Sequence, residues 1–309
     1  MKRSLWVRII AVMATVAICA LVAGCAHTTG SKEVTVEPQI SDDALVAPGT
    51  LTVGIDSTLS PFGGESDGQI IGVDVDVAAA LASDLGLNLQ VVDTSGKNAV
   101  TMLGNGEIDV AMNISPTQGS GVAVIGPYLD NGPALFGKDI IEKLDSVAGK
   151  RVGATKNSLA ATSALSYCDP DDLVEFPSIA EAFDALDNGQ IEYVASDAVA
   201  GGYLSLTAHD GVVYSISLAN PSGTYIGVKQ DKTVLQDAIV DSLKNITGNG
   251  VLATVAAKWT GTDCASHIIP AADQITTAKI EKNKTKPVDD DDEESDDEES
   301  DDEESYDEE

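Results

Sequence analysis

Twice along this chain, short β-branched runs alternate with longer stretches of helical apolar spacing, and this rhythm most restricts the fold. In the first half, residues 51–55 read as a strand and 73–85 as a helix stopped by Gly86. Residues 89–92 then read as a strand, 99–103 as a short helix and 108–112 as a third strand. The order restarts further on. Residues 151–154, 173–176 and 191–195 read as strands, with helices predicted over 158–167, over 179–186 and from Asp197 onward. A strand–helix–strand unit calls for parallel strands with helices laid over the sheet. Two such units in tandem predict an α/β protein of two lobes, each a mainly parallel sheet flanked by helices. Residues 134–137 are placed to cross between the lobes and 225–229 to cross back, before helices over 232–246 and 251–259 rejoin the first lobe. Two crossings make a hinge, and a hinge between two lobes leaves a cleft.

The ends of the chain are of a different kind. Lys2, Arg3 and Arg8 precede an apolar run over 9–23 that stops at Gly24-Cys25. The run is shorter than the roughly 20 apolar residues a membrane span needs. Small residues before a Cys resemble the cleavage site of a lipoprotein signal, so residues 1–24 are expected to be removed and Cys25 to carry the lipid, palmitate included. Residues 25–48 are polar and mixed, and are expected to act as a flexible tether. At the other end, 17 of the 50 acidic residues fall within 289–309, in repeats of Asp-Asp-Glu-Glu-Ser. Residues 266–309 are expected to form a linker and a disordered acidic tail, because such a segment repels itself and has no apolar surface to bury. The net charge of −32 leaves no basic patch for nucleic acid.

Cys168 and Cys264 remain once Cys19 leaves with the leader and Cys25 is lipidated. Both follow predicted helices, and the space outside the membrane is oxidising in many bacteria, so a disulfide between them is expected. The alternative is two buried thiols. No spacing of Cys or His resembles a metal site.

Several segments, taken in order, resemble a known family. They are Gly49-Thr50-Leu51-Thr52-Val53-Gly54-Ile55-Asp56, Pro61-Phe62, and Gly72-Val73-Asp74-Val75-Asp76-Val77-Ala78. Gly106-Glu107-Ile108-Asp109-Val110, the stretch 144–153, Ala195-Ser196-Asp197, and Lys258-Trp259-Thr260-Gly261 follow. This ordered set resembles the family 3 extracellular solute-binding proteins, the receptors of polar amino-acid ABC importers. The resemblance implies a two-lobed Venus-flytrap fold of the periplasmic-binding-protein type II class, with no cofactor and no catalysis. It places lobe 1 at 49–134 plus 229–265 and lobe 2 at 135–228. It implies a lipid-anchored monomer outside the cytoplasmic membrane that passes a small polar solute to an ABC permease.

The resemblance also implies a ligand set. Asp197 matches the carboxylate that pairs with a ligand ammonium, or else it only caps its helix. Ser158, with Lys156 one turn away, matches the hydroxyl position that meets a ligand carboxylate, or else it is an ordinary cap. Asp56, Asn113 and Ser115 would meet the ligand from lobe 1, with Phe62 as a remaining aromatic wall or else a core residue. The family's Arg clamp is missing from the segment 113–120, and Leu59 and Val73 stand where aromatic residues are usual. The ligand is therefore an amino acid or a related cationic or neutral solute. The second reading is a surface or sensor lipoprotein with altered or lost amino-acid binding.

Overall fold

The computed structural model describes residues 39–117, 121–270 and 275–278. The leader, Cys25 and the acidic repeats lie outside the described residues. Two sheets form two lobes. In lobe 1 the central strand β1 (Thr50–Ile55) runs parallel to β4 (Asn88–Asp93) on one side and to β5 (Val110–Ile114) on the other. β12 (Thr224–Lys229) inserts antiparallel between β5 and β6 (Val122–Leu129), and β13 (Thr276–Ala278) pairs antiparallel on the outer edge of β6. In lobe 2, β8 (Val152–Thr155), β9 (Leu173–Phe176) and β10 (Tyr193–Asp197) are parallel. β7 (Pro133–Gly137) pairs antiparallel with β10, and β11 (Val213–Ser217) pairs antiparallel with β7. A short hairpin of β2 (Gly64–Ser66) and β3 (Gln69–Ile71) precedes the first helix.

Burial explains why the strands read as they do. Five consecutive residues of β1, Leu51 to Ile55, are buried, as expected of a central strand covered on both faces. The helix α1 (Val73–Asp84) turns Val73, Val77, Ala78, Leu81 and Ala82 inward and ends at Gly86, whose φ is +71°. The second helix of lobe 1 is α2 (Ala99–Asn105). Lobe 2 carries α3 (Leu159–Ala164), α4 (Ile179–Asp187) and α5 (Ala198–Thr207). Each of α2 to α5 begins with its own side-chain cap: Asn98, Ser158, Ser178 and Asp197 respectively. The chain then adds α6 (Thr233–Gly248), α7 (Val251–Thr260) and α8 (Thr262–Ile268).

The structure moves several expected boundaries. Residues 134–137 do not cross between lobes; they are part of β7. Residues 225–229 likewise belong to β12, so they sit in the lobe 1 sheet. The crossings are the polar, turn-forming segments 130–132 and 218–223, which have no ladder partners to keep them in a sheet. Lobe 2 therefore begins at Pro133, and 224–228 belong to lobe 1. The tether expected to reach residue 48 ends earlier, because Ile40 and Leu45 are buried in the lobe 1 core and the Gln39 N–H donates to the Leu85 carbonyl. The linker expected from residue 266 is helical to Ile268, and Ile275 is buried just before β13. The expected disulfide is absent. Cys168 and Cys264 are free thiols buried in different core clusters, and the Cys264 thiol donates to the Ala198 carbonyl at 3.3 Å. Among the described residues, no helix is long and apolar enough to cross a membrane.

Candidate functional site

Strand direction alone brings the expected site residues to one gap. β12 is antiparallel to both β5 and β6, so β6 runs parallel to β1 and β5 and ends at the same edge of the sheet. The first crossing, 130–132, leaves from that edge. It enters β7 at Pro133, which pairs with Asp197 at the C-terminal end of β10. The C-terminal ends of β1, β4, β5, β8 and β10 therefore all face the hinge, which is where ligands bind in open α/β sheets. Asp56, Asn113 and Ser115 stand on one side of the gap; Lys156, Ser158 and Asp197 stand on the other. No hydrogen bond or ion pair among the described residues joins these two sets.

Asp197 ends β10 and caps α5. One carboxylate oxygen accepts from the Ala200 N–H at 2.9 Å. Burial pushes its pKa up, opposed by the Ala200 N–H and the Asn131 amide. Both expected roles are thus compatible in one side chain: the cap uses Oδ1, and the carboxylate still lies at the gap. Asn131, in the first crossing, accepts from the Val199 N–H at 3.2 Å and so ties the hinge to the same helix start. The sequence reading omitted Asn131. Its signal was the turn-forming triplet Asp130-Asn131-Gly132.

Ser158 caps α3 through the Ala161 N–H at 3.0 Å. Lys156 beside it is exposed and forms no ion pair among the described residues. Asn157 between them has φ +58°, a left-handed conformation that Asn tolerates better than most residues. Asn113 has φ +54° and lies where the β5–β12 register shifts, which turns the end of β5 out of the regular ladder. Ser115 is exposed and bonded to the Thr117 hydroxyl at 3.0 Å. Asp56 accepts from the Thr58 N–H at 2.9 Å and hydroxyl at 2.6 Å, both through Oδ1.

Phe62 does not form the expected open aromatic wall. It is buried in the lobe 1 core, and its carbonyl accepts from the Asp74 N–H. Gly72 approaches the Phe62 backbone closely: an added Cβ would lie 2.1 Å from the Phe62 carbonyl oxygen. Asp93, which the sequence reading passed over, closes the lobe 1 side at the end of β4. N–H groups of Ser95 and Ser57 and the Ser95 hydroxyl bind its carboxylate and hold its pKa down at about 2.

Beside the hinge lies a separate cavity of about 360 Å³. Asp130, Asn131, Gly132, Tyr214, Pro221 and His267 are among its lining residues, and none of the expected ligand residues is. No group of His, Cys, Asp and Glu among the described residues is arranged to hold a metal.

The profile of the bacterial extracellular solute-binding proteins, family 3, matches residues 51–262. The ABC transporter glutamine-binding protein GlnH of Bacillus subtilis is 27% identical over 236 residues, covering 73% of this chain and 85% of that protein. The L-cystine-binding protein TcyJ of Escherichia coli is 24% identical, covering 70% of this chain and 84% of that protein. Among solved structures, substrate-binding domain 2 of Lactococcus lactis GlnP in its open conformation superposes with a TM-score of 0.62 at 20% identity. It covers 74% of this chain and 99% of that domain. The L-cystine solute receptor of Neisseria gonorrhoeae, unliganded and open, gives 0.61 at 20% identity, over 70% of this chain and 94% of that one. With the profile spanning most of the folded residues on a two-lobed fold of the same type, this chain belongs to the family 3 bacterial extracellular solute-binding proteins.

Proposed function

We propose that this protein is an extracytoplasmic receptor that captures a small polar solute between its lobes and delivers it to an ABC permease. One observation carries the reading. The strand ends of two sheets meet across a hinge of two short crossings, with a half-buried carboxylate, Asp197, at their junction. Ligand that touches both lobes favours the closed form by its differential affinity for it. The relatives named above are described as binding glutamine or L-cystine, and a further one from Bacillus subtilis, 26% identical, as binding arginine. That agrees with a solute of amino-acid size. We assign the cleft binding and no catalysis. Cys25, carrying lipid, would hold the receptor on the outer face of the cytoplasmic membrane as a monomer.

Native mass spectrometry of the purified mature chain, followed by calorimetry with a panel of amino acids and amines, tests the capture. A bound solute below about 300 Da, or a ligand that raises the melting temperature, is expected. A chain that is empty and unmoved by the whole panel favours the second reading, a surface or sensor lipoprotein without solute binding. That reading draws support from the position of Arg151, bonded to Glu192 and the Gly189 carbonyl at the end of β8 away from the gap. For the anchor, Cys25→Ala is expected to move the protein from the membrane fraction to the soluble one and to abolish palmitate labelling.

A further inference from the structure

Resting on the receptor reading above, we propose that the cleft selects solutes that carry an ammonium or guanidinium group and no free carboxylate. The chain has three arginines: Arg3, Arg8 and Arg151. The first two precede the described residues. Arg151 stands one residue before β8, so the strand's four residues, at about 3.3 Å each, separate it from the gap. Both of its ends are taken: the backbone N–H, Nε and Nη2 donate to Glu192, and Nη2 also donates to the Gly189 carbonyl at 3.3 Å. Among the described residues, no guanidinium can therefore fork onto a ligand carboxylate in this cleft.

Backbone donors offer little in its place. All three first-turn N–H groups of α5 are occupied: Ala198 by the Gly132 carbonyl, Val199 by Asn131 and Ala200 by Asp197. At the start of α1, the Val73 and Asp74 N–H groups go to the Pro61 and Phe62 carbonyls. α3 is a short helix of six residues; its Ala161 N–H is held by Ser158, and its remaining first-turn N–H groups, Leu159 and Ala160, are the backbone donors left open at this end. Among the described residues, the lysines at this end are Lys97 and Lys156. Lys97 is turned to the Asp93 carbonyl at 3.3 Å. Lys156 is exposed, so a carboxylate that meets it remains hydrated and gains little.

The opposite charge is well supplied. Asp93 and Asp197 end β4 and β10, and Asp56 directly follows β1, on the faces of the gap. Oδ2 of Asp56 accepts no hydrogen bond among the described residues, while its Oδ1 is fixed by Thr58. Asp197 is held in one orientation by its cap. A cation bridging Asp56 on lobe 1 and Asp197 on lobe 2 would neutralise the half-buried carboxylate and draw the lobes together. A carboxylate on the same molecule would enter a field of three negative groups with one solvated partner, and would lose hydration without gaining a hydrogen bond of equal strength.

Matched pairs test this directly, because each pair differs by one carboxylate: arginine and agmatine, lysine and cadaverine, ornithine and putrescine, histidine and histamine. Calorimetric titration of the mature chain is expected to show, for at least one pair, the amine binding ten times or more tightly than its parent. In Asp197→Asn, which keeps an oxygen acceptor for the Ala200 N–H and so keeps the helix cap, that amine is expected to weaken tenfold or more at an unchanged melting temperature. A panel in which some compound binds but no amine outbinds its parent amino acid tenfold overturns the proposal and leaves the receptor reading standing. Amine binding unaffected in Asp197→Asn overturns it as well. Silence from all eight compounds, together with an empty chain by native mass spectrometry, overturns both.

Discussion

Asp74 is fully buried in lobe 1, and one of its oxygens accepts from the Tyr128 hydroxyl at 2.5 Å. Burial raises its pKa from the ordinary carboxylate value to about 7, against the opposing pull of the Tyr128 hydroxyl. Because the folded value is raised, the protonated form is the one that stabilises the fold. Its contribution is complete below the unfolded value near 4 and is lost as pH rises through about 7. At roughly 1.4 kcal/mol per pKa unit, the ionised side chain costs at most about 4 kcal/mol at pH 8. Asp74→Asn keeps an acceptor for Tyr128 and cannot ionise. It is expected to melt higher than the wild type at pH 8 and level with it at pH 4, as followed by calorimetry across that range; a difference that does not change with pH would contradict the assignment. At Asp197 the cap and the charge separate by substitution. Asp197→Asn is expected to leave the melting temperature unchanged or raised, whereas Asp197→Ala loses the Ala200 bond and about 1 kcal/mol, read in urea unfolding. The sequence marked Asp197 as either cap or ligand, and the structure finds the cap formed with the carboxylate still at the gap.

Among the elements, α5 contains Gly201-Gly202 in its middle, a pair that costs a helix roughly 1 kcal/mol per glycine relative to Ala. Close packing on both sides accounts for it. A Cβ on Gly201 would lie 2.1 Å from the Phe136 ring, and one on Gly202 would lie 2.7 Å from the Cys264 sulfur and 2.9 Å from Thr260 Cβ. Gly201 thus lets α5 settle on β7, and Gly202 lets α7 and α8 settle on α5. Gly201→Ala and Gly202→Ala are each expected to destabilise by about 1–3 kcal/mol, as overpacked sites do. Gly248→Ala, where an added Cβ meets nothing, is expected to be neutral or slightly stabilising. Urea unfolding of the three variants side by side checks the ranking. α7 also reaches lobe 1: the Trp259 indole N–H donates to Asp76 on α1 at 2.7 Å, and its ring lies 6.0 Å from that of Tyr203 on α5. The last helices therefore touch both lobes, and no periodicity in one helix could reveal that.

Over the whole molecule, the chain leaves lobe 2 after α8 and returns to the edge of the lobe 1 sheet. The Ile268 carbonyl accepts from the Asp130 N–H in the first crossing, and β13 pairs with β6 from Gly126 to Val124. Val124 and Ile125 on β6 are fully buried. A chain ended after Pro270 loses β13 and Ile275, and is expected to melt lower than one ended after Ala278, by scanning calorimetry of the two. Equal melting temperatures would mean that the edge strand adds nothing to the fold.

Strands and helices were legible because apolar period is a local signal. The parallel cores over 51–55, 89–92 and 191–195 and the helices around 73–85, 179–186 and 232–246 depend on residues within a few positions of one another. The two-lobed class follows from their alternation. Lobe membership of residues 133–137 and 224–229 depends instead on ladder partners far along the chain, so the crossings were placed several residues away from 130–132 and 218–223. The Cys168–Cys264 bridge failed for the same reason, since compartment and helix ends say nothing of which core cluster each thiol enters. Whether Phe62 joins the core or the cleft depends likewise on contacts with segments beyond its own, and it joins the core. The sequence by itself determined the α/β alternation, the strand ends that carry Asp56 and Asp197, and the scarcity of arginine. Only the tertiary structure decided which donors at those strand ends are already bonded, because that depends on contacts between segments distant in sequence.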